Sequence, residues 1–169
     1  GTRLSAAFSY AKADKFRGEG EIGGRKNLNL SLVHPFSNSL ELKLWYNKST
    51  HKQHSYRALS YAEIQTNYDL DFTQDPNSKL YFDHNKGEYE NDDLYAELSY
   101  AVDRINTISI KPYYSKEDSY TYFAQMASPS PTLVQKRPRD IERMGSVSEF
   151  KTKLDNINLL LGHHYERVD

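Results

Sequence analysis

Apolar and polar residues alternate with a period of two along most of this chain, in short stretches separated by polar turns. In the stretch 27–36 (NLNLSLVHPF), Leu28, Leu30 and Leu32 alternate with Asn27, Asn29 and Ser31. The stretch LELKLWY follows after the turn 37–39 and alternates in the same way. Because successive side chains of a β-strand point to opposite faces, each stretch predicts a strand with one apolar and one polar face. The two stretches together predict a two-faced β-hairpin.

Composition sets limits on what such strands build. The chain has 169 residues, of which 37% are hydrophobic, 27% are charged and 13% are aromatic, with fourteen tyrosines. The tyrosines favour β-sheet over disorder. A formal net charge of -1 does not favour nucleic acid as a partner, because such binders need basic surfaces. Without cysteine, the chain has no disulfide, thiolate metal ligand or cysteine nucleophile.

The longest apolar run falls far short of the roughly 20 residues that a transmembrane helix needs. A helical membrane protein is therefore excluded. A transmembrane strand needs only about 9 to 11 residues with one apolar face. The low overall hydrophobicity is compatible with such strands.

The period-two pattern predicts about eight to nine strands, joined alternately by long polar loops and short turns. Pro112 is expected to introduce a bulge or weak pairing in its strand. Polar loops are expected at 13–26, 48–57, 84–93 and 123–143. The predicted strands are 2–12, 27–36, 40–46, the alternating series Ala62, Ile64, Thr66, Tyr68, Leu70 and Phe72, a short strand from Leu80 and Phe82, 94–100, the series Ile108, Ile110, Pro112 and Tyr114, and a last hairpin of 145–153 with 157–166.

Bacterial outer-membrane barrels have short periplasmic turns and longer extracellular loops, so this alternation of connections favours a membrane barrel. Tyrosines near the predicted strand ends fit the interfacial aromatic belts of such barrels. We therefore expect an all-β chain, 1–169 forming a single antiparallel up-and-down section of a transmembrane β-barrel in the bacterial outer membrane. The alternative is a soluble all-β protein whose tyrosines only reflect β-propensity.

The face opposite the apolar residues carries both signs of charge and is expected to line the barrel interior. Mixed charge favours a hydrated, plugged interior over a pore selective for one sign of ion. A solvated sheet face is the alternative. The predicted interior residues are Glu41, Lys43, Glu63, Asp69, Asp71, Glu97, Lys111, Glu149, Lys151 and Lys153.

Four segments resemble TonB-dependent outer-membrane receptors, whose 22-stranded barrels enclose an N-terminal plug. They are LSAAFSYAKA, NLNLSLVHPFSNSLELKLWYNKS, DLYAELSYAVDRINTISIKPYYS and DNINLLLGHHYE. The family's plug and TonB box are not found in the chain, and its last residues, 163–169, are charged rather than ending on an aromatic residue. We therefore expect an internal part of a larger barrel.

The resemblance implies uptake of a scarce nutrient, such as a ferric siderophore or a haem-like ligand, driven by TonB through a plug domain. It implies outer-membrane lipid and lipopolysaccharide as surroundings, and a small molecule or metal chelate as ligand. Arginine suits anionic chelates and tyrosine suits aromatic ones; solvated loops or cations facing lipopolysaccharide are the alternative. The implied ligand-binding residues of the extracellular loops are His51, His54, Arg57, Tyr120, Tyr122, Phe123, Arg137, Arg139 and Arg143.

Other functional classes receive less support from the sequence. No GxSxG or comparable motif places a nucleophile, so we expect no enzyme, no catalytic residue and no cofactor. His163 and His164 face opposite sides of a strand and cannot jointly hold a metal, and we expect no metal site. The remaining alternatives are a passive porin-like channel and a soluble or secreted β-sheet binding domain.

Overall fold

The computed structural model describes residues 1–124 and 133–169, which form a single antiparallel sheet. Neighbouring strands in the chain are neighbours in the sheet, so the topology is up-and-down. The prediction of an all-β antiparallel meander is confirmed. The strands are β1 (Arg3–Asp14), β2 (Glu21–Pro35), β3 (Leu40–His54), β4 (Lys86–Ala101), β5 (Asn106–Ala124), β6 (Val134–Leu154) and β7 (Ile157–Val168).

The predicted strands at 62–72 and from Leu80 are wrong, so the sheet has seven strands rather than eight or nine. The first of these segments contains helix α1 (Tyr61–Thr66), and the second contains a 3-10 turn (Phe82–His84). A capping box explains the helix: the Glu63 amide donates to the Ser60 hydroxyl, and the Ser60 amide donates to the Glu63 carboxylate. These bonds satisfy amides that an α-helix otherwise leaves unpaired at its start.

Most strands extend further than the period-two pattern predicts. Much of the loops expected at 13–26, 48–57, 84–93 and 123–143 is strand instead, apart from 125–132, which lies outside the described residues. These extensions carry charged residues on both faces and are held in part by cross-strand ion pairs. Lys52 Nζ lies 3.5 Å from Glu88, Lys116 Nζ lies 2.9 Å from Glu142, and Lys48 pairs with Glu90.

Long and short connections alternate as predicted. The short connections 36–39, 102–105 and 155–156 all lie at one end of the sheet, since each joins an even-numbered strand to the next. Asp103 closes the second by accepting bonds from the amides of Ile105 and Asn106, each at 2.8 Å. The connections 15–20 and 55–85 lie at the opposite end, where β5 also ends at Ala124 and β6 begins at Val134.

The strand register aligns apolar side chains across the sheet on one face, which we call the apolar face. Leu42 lies opposite Leu98, and Leu98 lies opposite Ile110. The neighbouring positions, such as Lys43 opposite Glu97, lie on the other side, the polar face. On the apolar face, the half nearer the short connections forms an apolar band that includes Leu4, Leu30, Leu32, Leu40, Leu42, Leu44, Leu94, Leu98, Tyr100, Ile108, Ile110 and Phe150.

No second layer of structure covers this band within the described residues. Ala124 is the one apolar side chain among them that is buried, whereas Leu98 is 41% exposed and Ile110 is 47% exposed. The described part of the chain also contains no helix that is long and apolar enough to cross a membrane. The sheet therefore lacks the buried core of an ordinary globular domain.

Pro112 leaves a local defect in the sheet, as expected. The pairing between β4 and β5 omits Ala96 and Glu97, while the register on either side is unchanged. Proline lacks the amide hydrogen that this part of the ladder would use. The pairing is therefore weakened without a shift between the strands.

The two edge strands, β1 and β7, each have one neighbour, and the sheet is not closed into a barrel. Both strands are exposed along their whole length. Their outer edges present backbone groups available to a further strand.

Candidate functional site

The polar face near the long connections carries a cluster of cations and rings. Arg25 of β2 lies opposite His51 of β3, which in turn lies opposite Tyr89 of β4. The rings of His51 and Tyr89 stack with centroids 5.8 Å apart. Burial, followed by the charge of Arg25, lowers the pKa of His51 below 6.5. The imidazole is therefore neutral near pH 7, and its Nε2 is buried without a hydrogen-bond partner among the described residues.

Four more of the predicted ligand-binding residues share this face on β5 and β6: Phe123, Arg137, Arg139 and Arg143. The guanidinium of Arg137 lies 4.3 Å from the Phe123 ring centroid, a cation–π contact. Arg139 Nε lies 3.5 Å from the Glu117 carboxylate. The arrangement gives this end of the polar face several arginines, only partly neutralised by acids.

Tyr120 and Tyr122 lie on the opposite, apolar face of β5, above the apolar band. Lys136 Nζ sits 3.6 Å from the Tyr120 ring centroid, and Lys86 Nζ sits 5.5 Å from the Tyr122 centroid. The structure thus does not bring these tyrosines together with the arginines, although all were predicted as ligand-binding residues.

His54 and Arg57 hold the long connections rather than projecting into open space. His54 is 7% exposed, and its Nδ1 accepts a bond from the Glu21 amide at 3.1 Å. Its Nε2, which then carries the proton, donates to Asp83 at 3.2 Å. Arg57 Nη2 donates to Glu63 at 2.6 Å.

A buried ion pair joins the connections 15–20 and 55–85. Lys15 Nζ lies 2.8 Å from the Asp71 carboxylate, with the two side chains 0% and 1% exposed. The amides of Arg57 and Phe72 also donate to Asp71, each at 2.8 Å. Burial acts to raise the pKa of Asp71, but the bonds from Lys15 and the two amides outweigh it and hold the pKa below 3.8. Asp71 therefore organises the long connection as a carboxylate.

Asp71 is one of three residues for which the predicted interior position is wrong. Glu63 lies on helix α1, and Asp69 and Asp71 lie in the connection 55–85, because the strand expected there does not form. The other predicted interior residues do share the polar face. Their ion pairs include Lys43 with Glu97 at 3.6 Å and Lys111 with Glu149 at 2.9 Å.

A line of rings that the sequence pattern did not indicate runs across the polar face. We call it the ring row, and it consists of Trp45, Tyr95, Tyr113 and His164. Trp45 lies opposite Tyr95, and Tyr95 lies opposite Tyr113. The ring centroids of Tyr95 and Tyr113 are 6.4 Å apart, and those of Tyr113 and His164 are 6.1 Å apart. The Tyr113 hydroxyl donates to Glu166 at 2.7 Å and lies 2.9 Å from His164 Nε2.

A cavity of about 450 Å³ lies between charged side chains near the long connections, including Lys12, Lys52, Glu88 and Glu90. A second cavity, of about 560 Å³, lies beside the ring row and has a different character. Its lining residues are Ser5, Ala7, Asn29, Leu30, Ser31, Trp45, Tyr46, Asn47 and Tyr95, none of which is charged.

The signal for the ring row lay in the strand register. Trp45, Tyr95 and Tyr113 are far apart in the sequence and lie in dissimilar surroundings, so no local motif marks them. Counting back from the short turn at 103–104 places Tyr95 opposite Tyr113, whereas Trp45 and Tyr95 lie on strands joined by the long connection 55–85, so their pairing becomes visible only in the structure.

Within residues 1–124 and 133–169, no group of three or more His, Asp or Glu side chains is arranged to hold a metal ion. Comparison of the chain with protein-family models, with curated proteins and with solved structures finds no match.

Proposed function

We propose that this chain forms a section of the wall of a TonB-dependent outer-membrane receptor. The observation that carries the proposal is the sorting of the sheet into a polar face and an exposed apolar band. An exposed apolar patch of this extent marks a surface that contacts lipid or another protein. In a barrel, the apolar band faces lipid while the polar face lines the interior.

The height of the apolar band supports the same proposal. On β3 it begins near Tyr46 and ends at Leu40, and on β4 it runs from Leu94 to Tyr100. With the flanking residues, each strand contributes about nine residues, or roughly 30 Å at about 3.3 Å per residue. A strand tilt of about 40° reduces this to roughly 23 Å, near the apolar height of about 25 Å in outer-membrane barrels.

The distribution of charge supports an orientation with the long connections outside the cell. Beyond the band, the apolar face becomes a lattice of lysines and carboxylates, including the pairs Lys52–Glu88 and Lys116–Glu142. Hydrogen bonds and charge interactions with Glu90 and Asp92 raise the pKa of Lys48. Such a surface suits the polar, phosphate-bearing part of lipopolysaccharide, since phosphate accepts charge-assisted bonds.

In this proposal, the arginines of the polar face near the long connections make the first contact with an incoming ligand. Arg25, Arg137 and Arg143 are available for bonds to carboxylate or chelate oxygens. TonB, acting through a plug domain, supplies the energy for import.

Epitope tags test the membrane topology. A tag inserted at 75–77, in a long connection, is expected to bind antibody on intact cells. A matched tag at 103–104, in a short connection, is expected to bind only after the outer membrane is permeabilised. Binding of both tags on intact cells, or recovery of the protein in the soluble fraction, would contradict the proposal.

Conductance separates a receptor from a passive channel. In planar bilayers, a plugged receptor of full length is expected to show little open conductance, and loss of TonB is expected to abolish uptake. Stable conductance steps together with TonB-independent uptake would favour the porin-like alternative.

A further inference from the structure

We propose that the uncharged cavity beside the ring row binds a neutral saccharide. This inference rests on the proposed function, because it places the site on the inward face of the receptor wall. The cavity volume of about 560 Å³ lies within the usual range of about 300 to 1,000 Å³ for small-molecule sites.

The absence of charge around the cavity selects the charge of the ligand. In a chain that is 27% charged, none of the cavity's lining residues carries a charge. A charged ligand would lose hydration there without gaining a partner of opposite sign. An anionic chelate is better served by the arginines near the long connections, so the cavity suits a neutral, polar molecule.

Two exposed rings supply the apolar part of the site. Trp45 is 39% exposed and Tyr95 is 45% exposed, and they lie opposite each other on β3 and β4. The C–H groups on one face of a sugar ring are apolar, whereas its hydroxyls point outward around the rim. Aromatic rings at the polar face therefore offer packing area for the sugar face without requiring a charge.

Amides and hydroxyls beside the rings supply the polar part. Asn29 lies opposite Asn47, and Ser5 lies opposite Ser31, all along the same cavity. An amide side chain both donates and accepts, as does a hydroxyl, so this set matches vicinal sugar hydroxyls, which do the same.

Asp93 fixes the orientation of one of these amides. Asn47 Nδ2 donates to Asp93 at 3.1 Å, and Ser115 donates to the other Asp93 oxygen at 2.7 Å. With its nitrogen held, Asn47 presents its carbonyl oxygen as an acceptor. Asp93 is therefore a positioning residue, because its two carboxylate oxygens accept bonds from Asn47 and Ser115 rather than from the ligand.

Trp45 is the single tryptophan of the chain, so its intrinsic fluorescence reports directly on the site. The chain of 169 residues, refolded in detergent, is titrated with maltotriose, cellotriose and neutral hexasaccharides, and separately with gluconate as an anionic control. We expect a saturable fluorescence change with at least one neutral sugar and none with gluconate, with equilibrium dialysis giving the same affinity.

Two tyrosines of β4 provide a matched pair of variants. Tyr95→Ala removes a ring of the site, whereas Tyr100→Ala removes a ring of similar exposure, 46% against 45%, from the apolar face. Tyr95→Ala is expected to weaken sugar binding about tenfold, and Tyr100→Ala to leave it unchanged. Asn29→Leu is expected to weaken it about fivefold through lost hydrogen bonds.

Absence of saturable binding by any neutral sugar, or equal effects of Tyr95→Ala and Tyr100→Ala, would overturn the inference. Neither result changes the topology that the epitope tags measure, so the saccharide inference can be wrong while the proposed receptor wall is right. Conversely, sugar binding by a protein recovered without lipid or detergent would support the saccharide site and contradict the proposed membrane location.

Discussion

At the scale of single residues, one aromatic ring fills the space above a glycine of the neighbouring strand. The Tyr113 ring lies over Gly145 on the neighbouring strand, so that a Cβ on Gly145 would press against the backbone carbonyl oxygen of Tyr165 and stand 2.6 Å from Cζ of Tyr113. Covering a strand glycine with an aromatic ring restores packing that the missing side chain would have given. The same contact places the Tyr113 hydroxyl beside Glu166.

Gly145→Ala is therefore expected to destabilise the sheet, by about 1–3 kcal/mol, because the added methyl overpacks a filled space. Gly162→Ala is the matched control, since the nearest atom to its new Cβ is the Ser148 carbonyl oxygen at an ordinary 3.7 Å. Urea unfolding of the protein in detergent measures the difference. Equal midpoints for the two variants would show that the Tyr113 ring and the backbone at Tyr165 both shift without cost.

Asp71 predicts a pH dependence that is confined to the long connection. Its pKa is lowered on folding, so its stabilising effect is complete above the unfolded value of about 3.8 and is lost as the pH falls through the lower folded pKa. Hydrogen exchange at the amides of Arg57 and Phe72, both of which donate to Asp71, is expected to accelerate below that pH. Unchanged protection of these amides in acid, while the sheet stays folded, would contradict this role.

At the scale of elements, the sequence predicted strands well where one face is apolar and the other is polar. The hairpin β2–β3 and the strands around the turn at 103–104 have this local contrast, and they formed as expected. Strand segments with charged residues on both faces show no alternation of apolar and polar residues, so the sequence pattern does not predict them. The pairing of Lys52 with Glu88 or of Lys116 with Glu142 becomes visible only once the register is known.

The segment 62–72, wrongly predicted as a strand, alternates between apolar and polar residues but pairs with no neighbouring strand in the structure. At the start of this segment, the Ser60–Glu63 capping box favours a helix. Near its end, Asp71 is buried in an ion pair with Lys15, which holds the segment in the long connection. A tertiary contact from the far-off connection 15–20 thus overrides the local pattern. The candidate site was predictable only in part for the same reason: the arginines were visible in the sequence, whereas the ring row needed the register.

The apolar band makes a prediction at the level of strand β4. Leu98→Arg places a charge in the middle of the band and is expected to cost about 2–4 kcal/mol in a membrane. Ser99→Arg, one residue further on the polar face and opposite Glu41, is expected to be tolerated. The amount of folded protein in the outer-membrane fraction provides the measurement, and a similar yield of the two variants would contradict the assignment of faces.

At the scale of the whole molecule, the direction of the edge strands limits how the sheet can close. In an up-and-down sheet of seven strands, β1 and β7 run in the same direction. They cannot pair antiparallel with each other, so an all-antiparallel barrel requires an odd number of further strands between them. Sheet edges left open also favour association with other strands.

The central claim is that the apolar band faces lipid and the polar face does not. Because the chain has no cysteine, single cysteines placed along β4 from 88 to 100 can each carry an environment-sensitive fluorophore in lipid vesicles. We expect blue-shifted, lipid-quenchable emission at 94, 96, 98 and 100, and water-like emission at 95, 97 and 99. Positions 88, 90 and 92 share the apolar face but lie beyond the band, and they are expected to be water-like. Emission that does not alternate between 94 and 100, or that stays lipid-like through 88, would contradict the claim.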